Sequence, residues 1–180
     1  MRKPIVTAVA AAAVVAGGFA GSALAGGFQF NATATSAEEI PPDPTTVIVS
    51  DAEAKVNIKL DEEHDSATYI LRVTEPIENL TQSHLHRGAP GVNGPVAIFL
   101  YPAAPPAQLI PGTTEGIVRK GEWTQANLCY APAAPYCVEG VGNWDAFIAD
   151  LKAGNLYLNL HTTAYPPGEI RGQVHANHEH

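Results

Sequence analysis

The chain is poor in residue types that many catalytic and binding sites depend on. It has one methionine, at position 1, and two cysteines among 180 residues. Basic residues are also few, with 10 lysines and arginines against 18 acidic residues and a formal net charge of −8. The lack of a basic cluster argues against a nucleic-acid or anionic membrane partner. The chain also lacks a G-x-S-x-G motif, which argues against a hydrolase of that type.

Long apolar runs are missing beyond the N-terminus. There, Arg2-Lys3 precede an apolar run from Ile5 to about Ala20, and Ala23-Leu24-Ala25 supplies small residues for cleavage. This order predicts a secretory signal peptide over residues 1–25. A membrane anchor is the alternative, but the run is short and rich in alanine and glycine, and no later segment is apolar enough to span a bilayer.

Cleavage after Ala25 would leave residues 26–180, which suits one domain with a real core. Without Arg2 and Lys3, 8 basic residues face 18 acidic ones, a formal charge of −10. The methionine would leave too, so copper would have to be held by imidazole rather than thioether. We therefore expect a secreted or periplasmic (cell-envelope) protein whose partner is an extracytoplasmic protein or an envelope component.

The two cysteines bracket a proline-rich loop. Cys129 and Cys137 lie close together in a chain predicted to be exported, which predicts a disulfide between them. Their C-x7-C spacing differs from that of a C-x-x-C redox site. We interpret the bond as a structural staple.

Most of the remaining chain alternates between apolar and polar residues with period two, which predicts strands. Residues 54–60 are the clearest case, and residues 116–119 are predicted as another short strand. One helix is predicted, with Asn143 as its N-cap and Gly154 after its end. The apolar residues of this helix recur at i, i+3, i+4 and i+7, namely Trp144, Phe147, Ile148 and Leu151. Seven or eight strands with turns between them indicate an antiparallel sandwich or barrel.

Three histidines form the main candidate site. In a strand, His84 and His86 point to the same side, opposite Leu85. In the segment 156–160 the leucines form the core face, so His161 lies on the outer face. Tyr157 and Asn159 share that outer face and are the predicted supporting residues. Three imidazoles from two strands fit a surface site for Cu(II) or Zn(II) with one coordination position left open.

A turn centred near residue 166 predicts the neighbours of Arg171 and His175. That turn would put Arg171 opposite His161 and His175 opposite Tyr157, with His175 about 13 Å from His161 at the strand rise. Because that distance is too long for a shared ion, His175 is grouped with His178 and His180 of the tail 176–180. This group is a second, weaker metal candidate, and a solvated disordered terminus is its alternative.

Two interpretations of the three histidines stay open. One is a metal site; the other is a hydrogen-bond network in which Asn159 and Arg171 help the imidazoles to lock two strands together. The positive charge of Arg171 disfavours a cation nearby, although an arginine beside a metal can hold an anionic ligand.

Five short motifs, in order, resemble the CHRD (chordin) domain family. They are Glu38–Pro42 (E-E-I-P-P), Ser83–Gly88 (S-H-L-H-R-G), Gly91–Val96 (G-V-N-G-P-V), Leu156–Thr162 (L-Y-L-N-L-H-T) and Pro167–Gln173 (P-G-E-I-R-G-Q). Together they extend over nearly all of the mature chain, and the chain looks like a stand-alone bacterial member. Compared with that family, residues 124–142 are an insertion, and it carries the two cysteines.

The resemblance implies an exported all-β domain, an antiparallel Greek-key sandwich or barrel like that of copper–zinc superoxide dismutases, here with one short helix. It implies no single activity. Dismutase chemistry needs more histidines than this cluster supplies, with one bridging two metals and an Asp on zinc, so it is the less favoured alternative. We expect a non-catalytic binding or matrix module, with or without a metal ion.

Overall fold

The computed structural model describes residues 29–131 and 133–177. The predicted signal peptide lies outside these residues, as do His178 and His180 of the predicted tail site. The described strands are β1 Phe30–Thr35, β2 Glu53–Asp61, β3 Ser66–Glu78, β4 Leu80–Arg87, β5 Val96–Tyr101, β6 Thr113–Thr124, β7 Cys137–Val138, β8 Val141–Gly142, β9 Leu156–Thr162, β10 Ile170–Gln173 and β11 His175–Ala176. The helix α1 spans Trp144–Lys152, and short 3-10 helices span Ser36–Glu38 and Gln125–Leu128.

Nine of the described strands form one antiparallel sheet, eight of them in the order β5-β4-β9-β10-β1-β2-β3-β6, with β11 paired to β1. The two outermost strands, β5 and β6, also contact each other, so the sheet curls into a nearly closed barrel. The connections from β3 to β4 and from β6 to β9 join strands that are not neighbours, which is a Greek-key feature. The predicted all-β antiparallel class with one short helix is confirmed.

Local sequence explains most of these elements. In β2 the alternate residues Ala54, Val56, Ile58 and Leu60 are buried in the barrel. The predicted helix is confirmed: the Asn143 side chain accepts a hydrogen bond from the backbone N–H of Ala146, and Phe147 and Leu151 enter the core. The strand expected at 116–119 is longer than predicted, because β6 pairs with β3 along residues 113–124.

The pairing of β9 with β10 differs from the predicted register by two residues. Arg171 lies opposite Asn159, so its predicted place opposite His161 is wrong. The connection is not a tight hairpin, since pairing resumes only where Glu169 N–H donates to the carbonyl of Leu160. A shift of two residues keeps every side chain on its predicted face, whereas a shift of one would have reversed them.

The chain end also departs from the prediction. His175 pairs with Asn31 of β1 in β11 and does not face Tyr157. The predicted tail 176–180 is therefore partly a strand, because Ala176 belongs to β11 and Asn177 N–H donates to the carbonyl of Gln29. His175 is exposed and remains separate from the three-histidine cluster, as expected.

The described residues of the segment 124–142, which is predicted to be an insertion, form a stapled loop against the barrel. The disulfide between Cys129 and Cys137 is confirmed, with the two Cα atoms 4.9 Å apart. Tyr136, next to the staple, is buried, and its hydroxyl donates to Asp150 Oδ2 at 2.8 Å. Arg87 at the end of β4 contacts the same carboxylate oxygen at 2.8 Å, which ties the insertion to the helix and to the strand of the paired histidines.

Candidate functional site

The structure brings His84, His86 and His161 together. Strands β4 and β9 are neighbours, and His84 lies directly opposite Asn159, diagonally from His161. The distance from His84 Nδ1 to His161 Nε2 is 3.2 Å. One potential ligand nitrogen from each of the three rings lies within 4.8 Å of the other two. Among the described residues, these three form the one group of three or more metal-type side chains close enough to share an ion.

The cluster is buried, so the predicted surface location is wrong. His84 is 3% exposed and His161 5% exposed, while His86 is partly exposed. All three lie on the outer face, opposite the core leucines, but other parts of the chain cover that face. Phe99 of β5 packs edge-on against His84 with ring centroids 4.5 Å apart, and Tyr130 of the insertion packs edge-on against Phe99 at 4.7 Å.

Two backbone carbonyls fix the tautomers of the imidazoles. His86 Nδ1–H donates to the carbonyl of Gly94 at 2.9 Å, and His161 Nδ1–H donates to the carbonyl of Pro166 at 2.9 Å. Since a carbonyl only accepts, neutral His161 carries its lone pair on Nε2, which accepts from His84 Nδ1–H. In the metal-free neutral state, all three rings are therefore protonated on Nδ1.

In this arrangement, two imidazole lone pairs have no hydrogen-bond donor among the described residues. The Nε2 atoms of His84 and His86 are buried and have no hydrogen-bond partner within the described residues. A buried polar atom left in this state costs about 1–3 kcal/mol, and it calls for a ligand, an ion or a water. Carbonyls that hold the Nδ1–H of ligating histidines are the usual second layer of a metal site.

Burial keeps the imidazoles neutral. It lowers the pKa of His84 to about 2, with the nearby His161 and His86 contributing further. It lowers the pKa of His86 to about 4, against the opposing effect of the Gly94 hydrogen bond. The pKa of His161 is lowered by burial as well, and its bond to Pro166 opposes that shift. Neutral imidazole is the form that binds a metal.

Tyr157 and Arg171 support the histidine cluster by holding the loop at Val92–Gly94 in place over it. The Tyr157 ring stacks on the ring of His86 in β4, with the ring centroids 4.9 Å apart. The guanidinium carbon of Arg171 in β10 lies over the Tyr157 ring, 3.6 Å from its centroid. Arg171 is buried and donates to Asn93 Oδ1 at 2.8 Å and to the Val92 carbonyl at 2.9 Å. The guanidinium of Arg171 is thus bound to the loop that presents the Gly94 carbonyl to His86.

Gly94 is fixed on both sides. Its carbonyl accepts from His86, and its N–H donates to the Tyr157 hydroxyl at 3.1 Å. A Cβ at this position would lie 1.7 Å from the Arg87 carbonyl oxygen, so only glycine fits the turn. The loop motif G-V-N-G-P-V therefore builds one wall of the cluster.

Asn159 connects the cluster face to a residue that sequence reasoning missed. Its Nδ2 donates to the Ile170 carbonyl at 3.1 Å and to Glu39 Oε2. Burial is the largest influence on Glu39 and raises the pKa of its carboxyl, partly offset by hydrogen bonds from Ile40 and Asn159 and by the charge of Arg171.

Phe99 and the carbonyls of Gly94 and Pro166 were also missed. Phe99 lies in the continuous apolar run of β5, where alternation gives no signal, and carbonyl groups leave no trace in side-chain patterns. The family-like motifs Gly91–Val96 and Pro167–Gln173, which contain or adjoin Gly94 and Pro166, were the available clue.

The fold and the cluster define this molecule as an all-β antiparallel barrel domain with a buried trio of histidines on its outer face. The chain belongs to the CHRD family: the model of the CHRD domain matches residues 30–174, most of the chain. No curated protein and no solved structure is significantly similar to it. Within the described residues, none of the helices has the length and apolar character needed to cross a membrane.

Proposed function

We propose that this protein is an exported, non-catalytic binding module whose barrel holds one Cu(II) or Zn(II) ion on His84, His86 and His161. The observation that carries the proposal is that the buried Nε2 atoms of His84 and His86 have no partner among the residues that the structure describes, next to a third imidazole held in place by a backbone carbonyl. The extracytoplasmic location is part of the proposal. It is supported by the family and by the signal-peptide pattern of residues 1–25.

The three rings lie close enough to hold one imidazole-bound ion. With the proton of each ring on Nδ1, the Nε2 atoms would bind the ion, and His161 Nε2 would exchange its hydrogen bond from His84 Nδ1–H for that ion. One nitrogen of each ring lies within 4.8 Å of the other two, whereas a tetrahedral ion about 2.05 Å from each ligand needs nitrogens roughly 3.3 Å apart. His86 is the most exposed of the three and would have to approach by up to about 1.5 Å to complete a site with such bonds. The ligand set is all nitrogen, which suits Zn(II) and Cu(II) rather than Mg(II) or Ca(II).

A hydrogen-bond network without metal is the second candidate. The direct contact between His84 and His161 favours it, because an N–H···N bond accounts for the same 3.2 Å. That network satisfies the Nδ1–H of all three rings but leaves the Nε2 atoms of His84 and His86 unpaired, which is why we rank it second.

Elemental analysis of protein purified without an affinity tag separates the two. We expect close to one copper or zinc per chain, lost in a His84→Ala/His86→Ala variant and retained in His175→Ala, whose imidazole is exposed and outside the cluster. Equal metal content in the double variant and the unmodified protein would disprove the site. Superoxide dismutation above background in the metal-loaded protein would contradict the non-catalytic assignment.

A further inference from the structure

A cavity lies between the two proline-containing motifs, Glu38–Pro42 and Pro167–Gln173, away from the histidine cluster. It has a volume of about 160 Å³ and opens between the segment 39–48 and the turn 165–168. Pro41, Pro42, Ile48, Tyr165 and Pro167 supply mainly apolar walls. Glu39 and Asp43 line the same cavity. Asp43 is exposed, and its Oδ1 already accepts two hydrogen bonds from Thr45, so Glu39 is the half-buried carboxylate of this mainly apolar pocket.

The Glu39 carboxylate has no cationic partner in direct contact. Its Oε1 accepts from the Ile40 N–H at 3.0 Å, and its Oε2 accepts from Asn159 Nδ2. No salt bridge to Glu39 occurs among the described residues. Gly168 leaves room for the carboxylate, since a Cβ there would lie 2.7 Å from Glu39 Oε2. The charge of Arg171 acts on Glu39, but both groups in hydrogen-bond contact with this half-buried carboxylate are neutral, so an incoming cation would stabilise it further.

Residues 47–49, the edge beside the pocket, lie outside the strands of the sheet although their side chains are strand-forming types. Val47 and Val49 are 78% and 80% exposed, whereas Ile48 between them turns into the pocket, an alternation typical of a strand. Both backbone groups of Val49 face the Tyr165 hydroxyl, with N–H and C=O each 3.4 Å from it. In an extended chain, the N–H and C=O of Ile48 then face the opposite way, and within the described part of the chain they have no partner.

We propose that this surface binds an extended segment of a partner protein, which pairs with the edge at Ile48 and inserts a lysine side chain into the pocket toward Glu39. The methylene stem packs on the proline and tyrosine walls while the ammonium reaches the carboxylate. Both carboxylate oxygens already accept one hydrogen bond, which suits the single-point contact of an ammonium better than the two-pronged contact of a guanidinium.

The first test titrates the isotope-labelled, untagged protein with the blocked peptide Thr-Val-Lys-Val-Thr and with a peptide that has norleucine in place of lysine. We expect saturable amide shifts at Glu39, Ile48 and Gly168, slower hydrogen exchange of the Ile48 amide, and at least tenfold weaker binding of the norleucine peptide. Unchanged exchange at Ile48, or equal binding of the two peptides, would overturn the proposal.

The matched variants are Glu39→Gln and Glu38→Gln, which remove the same charge from neighbouring positions. Glu38 is exposed and does not line this cavity. We expect Glu39→Gln to abolish the preference for lysine while binding of the norleucine peptide persists, which also shows that the variant is folded. Glu38→Gln should keep the preference for the lysine peptide. Equal losses in both variants would mean that the preference reflects only the overall negative charge of the protein, and they would overturn the proposed lysine pocket.

Two further outcomes name other occupants, and either one overturns the proposal. If n-butylamine binds as tightly as the lysine peptide, the pocket is a small-amine site and the edge at Ile48 plays no part. If the free protein dimerises on sedimentation and Val47→Asp abolishes the dimer, the surface is covered by a second copy of the chain.

Discussion

The two faces of strands β4 and β9 are both largely buried but chemically opposite. The inner face carries Leu85, Leu158 and Leu160, which are completely buried in the barrel core. The outer face of the same strands carries the three histidines together with Tyr157 and Asn159, and all of these except the partly exposed His86 are at most 5% exposed. Leucines need only close packing, whereas each buried imidazole or amide also needs a specific partner for its polar atoms.

This difference explains where the family-like motifs lie. The inner face can be filled by many apolar combinations of suitable volume. The outer face depends on particular groups at particular places: the Gly94 and Pro166 carbonyls, the Arg171 guanidinium and the Glu39 carboxylate. Each of the five motifs contributes either the histidine face or the loops that cover it. The recognisable sequence is thus that of the polar layer, not of the core.

Acidification should produce the largest difference between the faces. The folded pKa values of His84 and His86, about 2 and about 4, lie below the value of roughly 6.5 expected in the unfolded chain. Their contribution to stability is therefore complete above about pH 6.5 and is lost as the pH falls toward the folded values. Between pH 7 and 5 each histidine should cost about 2 kcal/mol, roughly 4 kcal/mol together, in the metal-free protein.

Chemical denaturation of the metal-free protein at both pH values measures this loss. Leu158→Ala, on the inner face, should lower stability by about 3 kcal/mol at both pH values and leave the pH dependence intact. His84→Gln should remove about half of the pH dependence, because His86 still contributes the rest, while the exposed His64→Gln should leave it unchanged. A pH dependence unaffected by His84→Gln would mean that the outer face is hydrated and that the two faces differ in burial after all.

Replacing Arg171, which holds the loop at Val92–Asn93 over the histidines, should have the next largest effect on the free energy of unfolding. Arg171→Leu keeps much of the side-chain volume but breaks the bonds to Asn93 and Val92 and the contact with Tyr157. We expect a loss of about 2–4 kcal/mol in unfolding free energy, because buried carbonyls would be left unpaired. Arg171→Lys should recover only part of this loss, since an ammonium lacks the planar fork.

Arg72→Leu is the matched control, because Arg72 is exposed on β3 and should change stability by less than about 0.5 kcal/mol. Metal content should fall in Arg171→Leu, as the Gly94 carbonyl would no longer be held against His86. Equal stability of the two variants would show that the loop stays in place without Arg171.

The faces of β4 and β9 were predictable from sequence, and their burial was not. Alternation assigns sides because neighbouring side chains of a strand point in opposite directions, so Leu85 and His84 were placed correctly. Whether a polar face is exposed depends on which loops fold over it, and nothing near His84 in the sequence announces Phe99 or Tyr130. The surface prediction failed for that reason.

The register between strands β9 and β10 was the second feature that the sequence did not predict correctly. The assumed hairpin at residue 166 gave the right face for Arg171 but the wrong neighbour, because the length of the connection set the pairing. Glu39 was overlooked for a similar reason. It lies 120 residues from Asn159, and contacts at that separation are not visible in local patterns. The disulfide and the helix, which depend on nearby residues, were both predicted correctly.

The smallest expected effect compares one hydroxyl on each face. Tyr69 lies in the core and donates to the Leu100 carbonyl at 2.8 Å, while Tyr157 on the outer face accepts from the Gly94 N–H at 3.1 Å. Replacing either by phenylalanine keeps the ring and leaves one backbone group unpaired, at a cost of about 1 kcal/mol. Denaturation at pH 7 should give similar losses for the two variants. A measurable loss for Tyr69→Phe with none for Tyr157→Phe would mean that water reaches Gly94, and the outer layer would then be an ordered surface rather than a second buried face.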